Sequence, residues 1–135
     1  MRVGLDTNVF ISALITRGLA AQALKLWQQG RYDLVTSTWQ ISELQGVTRR
    51  EHIQKRLKPG DAGALMNALR DKAAVLETLP RVDGSPDPDD NNILAAAISG
   101  EAQYLVTGDK NDLQALVKVQ GVRILAVSEF VTLFG

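Results

Sequence analysis

Cysteine is absent from the sequence, and histidine occurs once, as His52. The absence of cysteine excludes disulfides, zinc–thiolate sites and thiol nucleophiles, and it is typical of a reducing compartment, so we expect a cytoplasmic protein. A single imidazole excludes every mechanism that needs two, and nothing in the sequence gives His52 a catalytic role. Any chemistry that this chain performs therefore has to use carboxylates.

Long apolar runs and net charge are also lacking. No segment approaches the roughly 18 consecutive apolar residues of a membrane span, and the early run 9–15 has no signal-peptide cleavage pattern, so we expect neither membrane association nor export. Fifteen Lys plus Arg balance fifteen Asp plus Glu, so any contact with nucleic acid has to come from a local patch. The length of 135 residues and the 45% hydrophobic content predict one domain over residues 1–135.

Apolar periodicity divides the chain into alternating strands and helices. The predicted strands are 2–5, 33–37, 74–79, 104–107 and 122–125. Four predicted helices have both ends defined: 7–14, 20–29, 89–99 and 111–116. Two more begin at a capping residue, one capped by Thr38 and ending at about 49, the other capped by Asp61 and ending at about 72, and a charged helical stretch between them continues to about 57. A last helix is capped by Ser128. Because parallel neighbours need crossover connections, this alternation predicts an α/β fold with a mainly parallel central sheet and helices on both faces. Sites in such folds lie at the carboxyl ends of the strands.

Two acidic residues lie at the carboxyl ends of predicted strands. Asp6 directly follows the first predicted strand, and Asp109 follows the strand 104–107 after a single glycine. If these strands are neighbours, the two carboxylates face each other. The alternative for each acid alone is an ordinary helix cap or turn.

A third acid interrupts the apolar face of a predicted helix. Glu43 shares a stripe with Trp39 and Val47 at a spacing of four residues, so its side chain should point inward. A carboxylate near apolar surface is costly unless it is paired, hydrogen-bonded or bound to a metal. The alternatives are that Glu43 lies at the edge of the stripe or pairs with Arg49 or Arg50.

The segment 87–90 contains three further acids. Asp90 shares its helical face with Ile93 and Leu94, which makes it the acid at the buried end of the packing stripe. Its position in the first turn also favours the ionised carboxylate, because this is the positive end of the helix dipole. Asp89 should face outward, and Asp87 is expected to be a cap in a solvated loop.

These positions together predict an acidic cluster of Asp6, Glu43, Asp90 and Asp109. Asp112, one helical turn after Asp109, is a fifth candidate. Like charges cannot share a pocket without compensation, and Lys110 is the one basic residue that these motifs bring near the set. A divalent cation is therefore expected. Oxygen ligands without histidine or cysteine favour Mg²⁺ or Mn²⁺ over zinc or copper.

The order and spacing of these segments resemble a known family. The segments are Gly4-Leu5-Asp6-Thr7-Asn8-Val9-Phe10, the central Glu43, Asp87-Pro88-Asp89-Asp90 with the following Ile93-Leu94-Ala95-Ala96-Ala97, and Leu105-Val106-Thr107-Gly108-Asp109-Lys110. From Val3 to about the C-terminus they resemble the PIN-domain family. More narrowly, they resemble its bacterial branch of VapC-like ribonucleases, the toxin components of toxin–antitoxin systems.

The resemblance implies a three-layer α/β/α sandwich and a Mg²⁺- or Mn²⁺-dependent endoribonuclease that cuts single-stranded RNA to leave 3′-hydroxyl and 5′-phosphate ends. The four acids named first fall on the family's acidic positions, where they would bind the metal that activates a water, and Thr7, Asn8 and Thr107 fall where polar side chains support the site. A cognate antitoxin and a homodimer are also implied. The sequence departs from the family after Asp109, because two residues precede the next acid, so the role of Asp112 is open.

The segment 49–58 holds five basic residues and one acid, and four of them are candidate nucleic-acid contacts: Arg49, Arg50, Lys55 and Arg56. The alternative is a solvated helix face. Trp27 and Trp39 could stack on bases, but their helical positions favour core packing.

Two other functions compete with the ribonuclease. A PIN-like module could bind RNA or protein without cleaving it, in which case Asp6→Asn would affect only stability. An aspartyl-phosphate type phosphatase would also place an Asp after a first strand, but the second Asp that it needs two residues later is absent. No phosphate-binding Gly-Lys-Thr/Ser loop and no nucleophile elbow occurs in the sequence.

Overall fold

The computed structural model describes residues 1–108 and 116–135, and within these ranges strands and helices alternate along most of the chain. The elements are β1 (Arg2–Leu5), α1 (Thr7–Ile15), α2 (Leu19–Gln28), β2 (Asp33–Ser37), α3 (Thr38–Thr48), α4 (Glu51–Gln54), α5 (Asp61–Lys72), β3 (Ala74–Leu76), α6 (Pro88–Ser99), β4 (Tyr104–Thr107), β5 (Lys118–Val119), β6 (Val122–Ala126) and α7 (Val127–Thr132). The predicted helix 111–116 lies almost entirely outside the described residues.

The strands form one sheet in the order β3-β2-β1-β4-β6-β5, parallel except for the pair β5–β6. The chain builds outward from β1 to β2 and β3, and then returns to place β4 on the other side of β1. The carboxyl ends of β1 and β4 therefore meet where the direction of strand addition reverses, which is where open α/β sheets bind ligands. The predicted α/β fold with a mainly parallel sheet is confirmed.

Two apolar clusters cover the two faces of the sheet. Side chains alternate along each strand, so Val106 of β4 joins the cluster formed with α1, α2, α3, α5 and α7, whereas Leu105 joins the cluster formed with α6. Trp27 packs in the first cluster and Trp39 against the second, as their helical positions predicted. The result is a three-layer α/β/α sandwich.

Two glycines, Gly4 and Gly100, lie where α6 packs on the sheet. A Cβ at Gly4 would lie 3.3 Å from Leu105 Cδ1 and 3.7 Å from Ala97 Cβ, and a Cβ at Gly100 would overlap Val35 Cγ1. Small residues at these contacts bring the whole helix close to β1 and β2.

Some element boundaries differ from the predictions. The cap of α3 is Ser37 rather than Thr38, because the Ser37 hydroxyl accepts a hydrogen bond from the Gln40 backbone N–H at 3.0 Å. Ser128 does not cap α7, which begins at Val127, and the Glu129 carboxylate accepts from the Ala126 N–H at 3.1 Å instead.

Three other differences concern short elements. Gly60, with φ of 87°, precedes α5, so Asp61 is the first helical residue rather than the cap. The third strand is Ala74–Leu76, shorter than predicted, and β5 was not predicted because two residues are too few to show a period.

No single helix in the described ranges has the length and apolar composition of a membrane span. The pair α1 and α2 passes that test only when taken together, and the two helices are bent by 100° with respect to each other.

Candidate functional site

Asp6 lies between β1 and α1, at the reversal point of the sheet. Its backbone N–H donates to Val106 O at 2.8 Å and its carbonyl accepts from the Val9 N–H at 3.0 Å. The parallel register that pairs Leu5 with Val106 thus continues into Asp6, and α1 starts immediately afterwards. These bonds hold the buried Asp6 carboxylate, 5% exposed, at the carboxyl edge of the sheet.

Glu43 reaches the same edge from α3, where it is half-buried. The Thr7 hydroxyl hydrogen bonds to the Glu43 carboxylate, which connects the first residue of α1 to the middle of α3. The half-buried position of Glu43 fits both the predicted inward direction and the alternative at the edge of the stripe. Its alternative partner, Arg50, acts on Glu43 only as a nearby charge, because no ion pair joins them within the described part of the chain.

A buried glutamine positions Thr7. The Gln40 side chain donates to Leu5 O at 2.7 Å and to Thr7 Oγ1 at 3.5 Å, and its carbonyl accepts from the Thr36 hydroxyl at 2.5 Å. Gln40 is 3% exposed, so its amide replaces water for groups on β1, β2 and α1. Gln40 was not among the predicted site residues, because a lone Gln in a helix carries no local signal of burial.

Asp90 lies in the first turn of α6 and is held by the preceding loop. The Ser85 hydroxyl donates to Asp90 Oδ2 at 3.4 Å. The Asn91 side chain accepts from the Ser85 N–H at 2.7 Å and donates to Ser85 O at 2.9 Å, which fixes the loop against the helix. Asp87 is the N-cap of α6, as predicted, because its carboxylate accepts from the Asp89 N–H at 2.9 Å.

Asp6, Glu43 and Asp90 surround one cavity of about 190 Å³. The described residues that line it are Asp6, Thr7, Asn8, Glu43, Val47, Arg50, Asp87, Asp89, Asp90 and Ile93. Five are acidic and one is basic, so the lining carries a strong negative charge when all are ionised. Asp89 is exposed, as predicted, and it also lines the cavity. One prediction is corrected here, because Arg50 contributes a cation that the motifs did not indicate.

The confinement of these charges changes their protonation. Burial, and then the charge of Asp90, raise the pKa of Asp6 from 3.8 to about 6, although the backbone amides of Asn8 and Thr7 favour its ionised form. Burial also raises the pKa of Glu43, and the charges of Asp89 and Asp87 act in the same direction, whereas the Thr7 hydroxyl and Arg50 oppose them. Carboxylates with raised pKa values in a cleft are typical of functional sites.

The donor set of this cavity fits a hard divalent cation. Its described acidic residues offer only oxygen atoms, and their mutual repulsion is the kind that Mg²⁺ or Mn²⁺ relieves. Among residues 1–108 and 116–135, no three acids are close enough to enclose a metal by themselves. The predicted ligands Asp109 and Asp112 lie outside the described residues, after the end of β4 that borders Asp6.

The predicted supporting residues take different positions. Asn8 is exposed at the cavity lining. Thr107 is fully buried at the end of β4, where its hydroxyl donates to Gly108 O at 3.1 Å, and it is not one of the described lining residues.

The candidate RNA contacts are spread over several surfaces. Arg50 lines the acidic cavity, and Arg49 lines a separate groove on the other side of α3. Lys55 pairs with Glu51 at 3.4 Å. Arg56 lies in a depression beside α1 that also includes Asn8. The four residues therefore do not form one patch.

Fold and site together define an α/β/α protein whose acidic cavity lies at the sheet's reversal point. A PIN domain model matches residues 2–111, and the chain belongs to the PIN domain family. The fold is similar to a chain in the crystal structure of VapBC2 from Rickettsia felis bound to a DNA fragment from their promoter, with a TM-score of 0.60 and 14% identity over 93% of this chain and 98% of that one. No curated protein sequence matches the chain.

Proposed function

We propose that this protein is a Mg²⁺- or Mn²⁺-dependent endoribonuclease that hydrolyses phosphodiesters of single-stranded RNA. The observation that supports the proposal most directly is the shared cavity of Asp6, Glu43 and Asp90, which come from three separate elements. Carboxylates that converge in this way raise the cost of ionising one another, and Asp6 is buried among them, so a bound cation would relieve their repulsion. Asp109 is the proposed fourth member of the set.

Each side chain has a distinct part in this proposal. Asp6 and Asp90 would bind the cation, and Glu43 would bind it or orient the attacking water, with its carboxylate held by Thr7. Asn8 is exposed at the lining, where its amide can donate to a phosphate oxygen. A bound divalent cation supplies a water of lowered pKa and stabilises the negative charge that develops on the phosphate. No histidine is needed as a base.

The test is cleavage of a labelled single-stranded RNA with Mn²⁺, with Mg²⁺ and with EDTA. We expect cleavage that needs the metal, and a loss of about 10²-fold or more in Asp6→Asn and in Asp90→Asn. Asp33→Asn is the matched control, because Asp33 is exposed and lies at the start of β2, at the opposite end of the sheet. Circular dichroism and thermal unfolding check that all variants are folded.

The outcomes separate the competing functions. Activity that survives EDTA, or that survives both substitutions, would overturn the metal-dependent mechanism. A folded protein that binds RNA but never cleaves it with either metal would favour the binding module instead. Isothermal titration with Mn²⁺ gives a readout that is independent of activity, and it should show weaker binding in both site variants than in Asp33→Asn.

A toxin role within a toxin–antitoxin pair belongs to the same proposal. It is supported by the resemblance of the motifs to the VapC-like branch and by the similarity of the fold to a chain of VapBC2. We expect growth arrest on expression of the wild type but not of Asp6→Asn, with rescue by co-expression of a protein encoded next to it. A homodimer is expected in light scattering at micromolar concentration.

A further inference from the structure

A second depression lies on the other side of α3 from the acidic cavity. It has a volume of about 500 Å³ and lies between the end of α3, α4 and α5. Its polar lining consists of three cations, Arg49, Lys58 and Arg70, together with amide and hydroxyl side chains. No acidic residue is among its described lining residues. We refer to it as the basic groove.

The three cations of the basic groove are exposed and form no ion pair with the described residues. The ion pairs in the described ranges are Lys55–Glu51 and Arg81–Asp83, so none of the three has an acidic partner there. They come from the end of α3, from the loop before α5 and from α5 itself. Three like charges placed around one concave surface, in a chain with no net charge, form a local site for an anion.

The C-terminal half of α3 connects the basic groove to the acidic cavity. Val47 and Arg50 line the cavity, whereas Gln45, Thr48 and Arg49 line the groove. The two depressions are thus separated by a single helix, about 10 Å across with its side chains. An RNA strand whose scissile phosphate lies in the acidic cavity therefore needs only a short path over α3 to place its neighbouring phosphates among the cations of the basic groove.

We infer that the basic groove binds the backbone phosphates of single-stranded RNA next to the scissile bond. Guanidinium and ammonium groups are suited to phosphate oxygens, with Arg able to bind two at once. The amides of Gln45, Gln54 and Asn67 add hydrogen-bond donors and acceptors for bases or ribose. This inference rests on the proposed ribonuclease function, since it concerns the substrate of that same site.

The test measures RNA binding apart from cleavage. Labelled single-stranded RNA is titrated in EDTA, by fluorescence anisotropy, with the wild type and with the double variant Lys58→Gln, Arg70→Gln. A double variant with the same change in charge, Lys25→Gln, Arg123→Gln, is the control, because α2 and β6 carry these residues outside the groove. All four side chains are exposed, so the variants should remain folded.

We expect the groove variant to bind RNA about ten-fold more weakly than the control. The slope of log K against log salt should decrease by about 1.4, because each phosphate contact on a single strand contributes about 0.7. In cleavage with Mn²⁺, KM should increase while kcat stays the same, since neither residue lies at the acidic cavity.

Equal binding by the groove variant and the control would overturn the inference. So would an acidic peptide that binds the groove as tightly as RNA does, because that result would assign it to a protein partner. If the groove variant binds RNA more weakly but no form of the protein cleaves RNA with metal, the groove is an RNA-binding site and the nuclease function is overturned. If the groove variant cleaves RNA with an unchanged KM, the role of the groove in substrate binding is overturned, whereas the nuclease function is not.

Discussion

The raised pKa of Asp6 predicts that this side chain destabilises the metal-free protein at neutral pH. The difference between 3.8 and about 6, at 1.36 kcal/mol for each pH unit, corresponds to about 3 kcal/mol. Asparagine has nearly the same shape but no charge, and its amide oxygen can still face the backbone amides at the start of α1. Asp6→Asn should therefore stabilise the metal-free protein at pH 7 by up to about 3 kcal/mol.

The pH dependence of this effect has a definite sign. Below pH 3.8 the carboxyl group is protonated in both the folded and the unfolded chain, so it contributes no difference. Between pH 3.8 and about 6 the unfolded chain loses its proton first, and the wild type loses stability relative to Asp6→Asn as the pH rises. Above about pH 6 both states are ionised and the full difference remains.

The assay is urea unfolding of both proteins in EDTA at a series of pH values. The free-energy difference between them should rise from near zero at pH 4 or below to a plateau above pH 6. Asp33→Asn, on the exposed start of β2, should differ from the wild type by less than about 0.5 kcal/mol. A lower stability of Asp6→Asn at pH 7, or a difference that does not change with pH, would refute the reasoning.

Addition of Mn²⁺ should reverse the order of stability. A cation bound only by the folded wild type stabilises it by about 2.7 kcal/mol at a hundred times its Kd, whereas Asp6→Asn lacks one proposed ligand. We therefore expect a larger increase in Tm for the wild type than for the variant. Equal increases in both proteins would show that Asp6 does not bind the metal.

Two further predictions concern residues that position the site. Gln40→Leu leaves the Leu5 carbonyl and the Thr36 hydroxyl without their buried partner, so we expect the free energy of unfolding, measured in urea, to fall by about 2–4 kcal/mol. The control Ser42→Ala, at an exposed position, should lower it by less than about 0.5 kcal/mol. A near-neutral result for Gln40→Leu would contradict this reasoning, because it would mean that water replaces the amide. Gly100→Ala should lower the free energy of unfolding by about 1–3 kcal/mol, because the added Cβ would overlap Val35. The effect should be smaller in a Val35→Ala background, and equal effects in both backgrounds would contradict this contact.

Much of the acidic site could be predicted because it depends on topology rather than on side-chain packing. The strand that ends before Asp6 is visible as a short apolar run, and parallel strands present their carboxyl ends at one edge. Helical spacing directed Glu43 and Asp90 toward the packed face of their helices, and both line the cavity. The same spacing correctly predicted an exposed Asp89, but it could not show that this exposed residue also borders the cavity.

The basic groove could be predicted from the sequence only in part. The charge run 49–58 was apparent, but it gave no reason to separate Arg49 and Lys58 from Lys55, which an acid one turn earlier neutralises. Arg70 could not be predicted as a member of the groove, because it lies outside the run and reaches the groove only through the packing of α5 against α3. Local charge density identified the region, whereas the tertiary fold determined which cations share a surface.

The two sides of α3 together explain how a chain with no net charge could act on RNA. A uniformly basic surface would attract nucleic acid everywhere, and a uniformly acidic one would repel it from the metal site. Here the acids converge in one cavity, and the proposed phosphate-binding cations Arg49, Lys58 and Arg70 lie about one helix width away. The charge of the acidic cavity without a metal should then repel RNA, which predicts that Mn²⁺ tightens RNA binding by the wild type more than by Asp6→Asn.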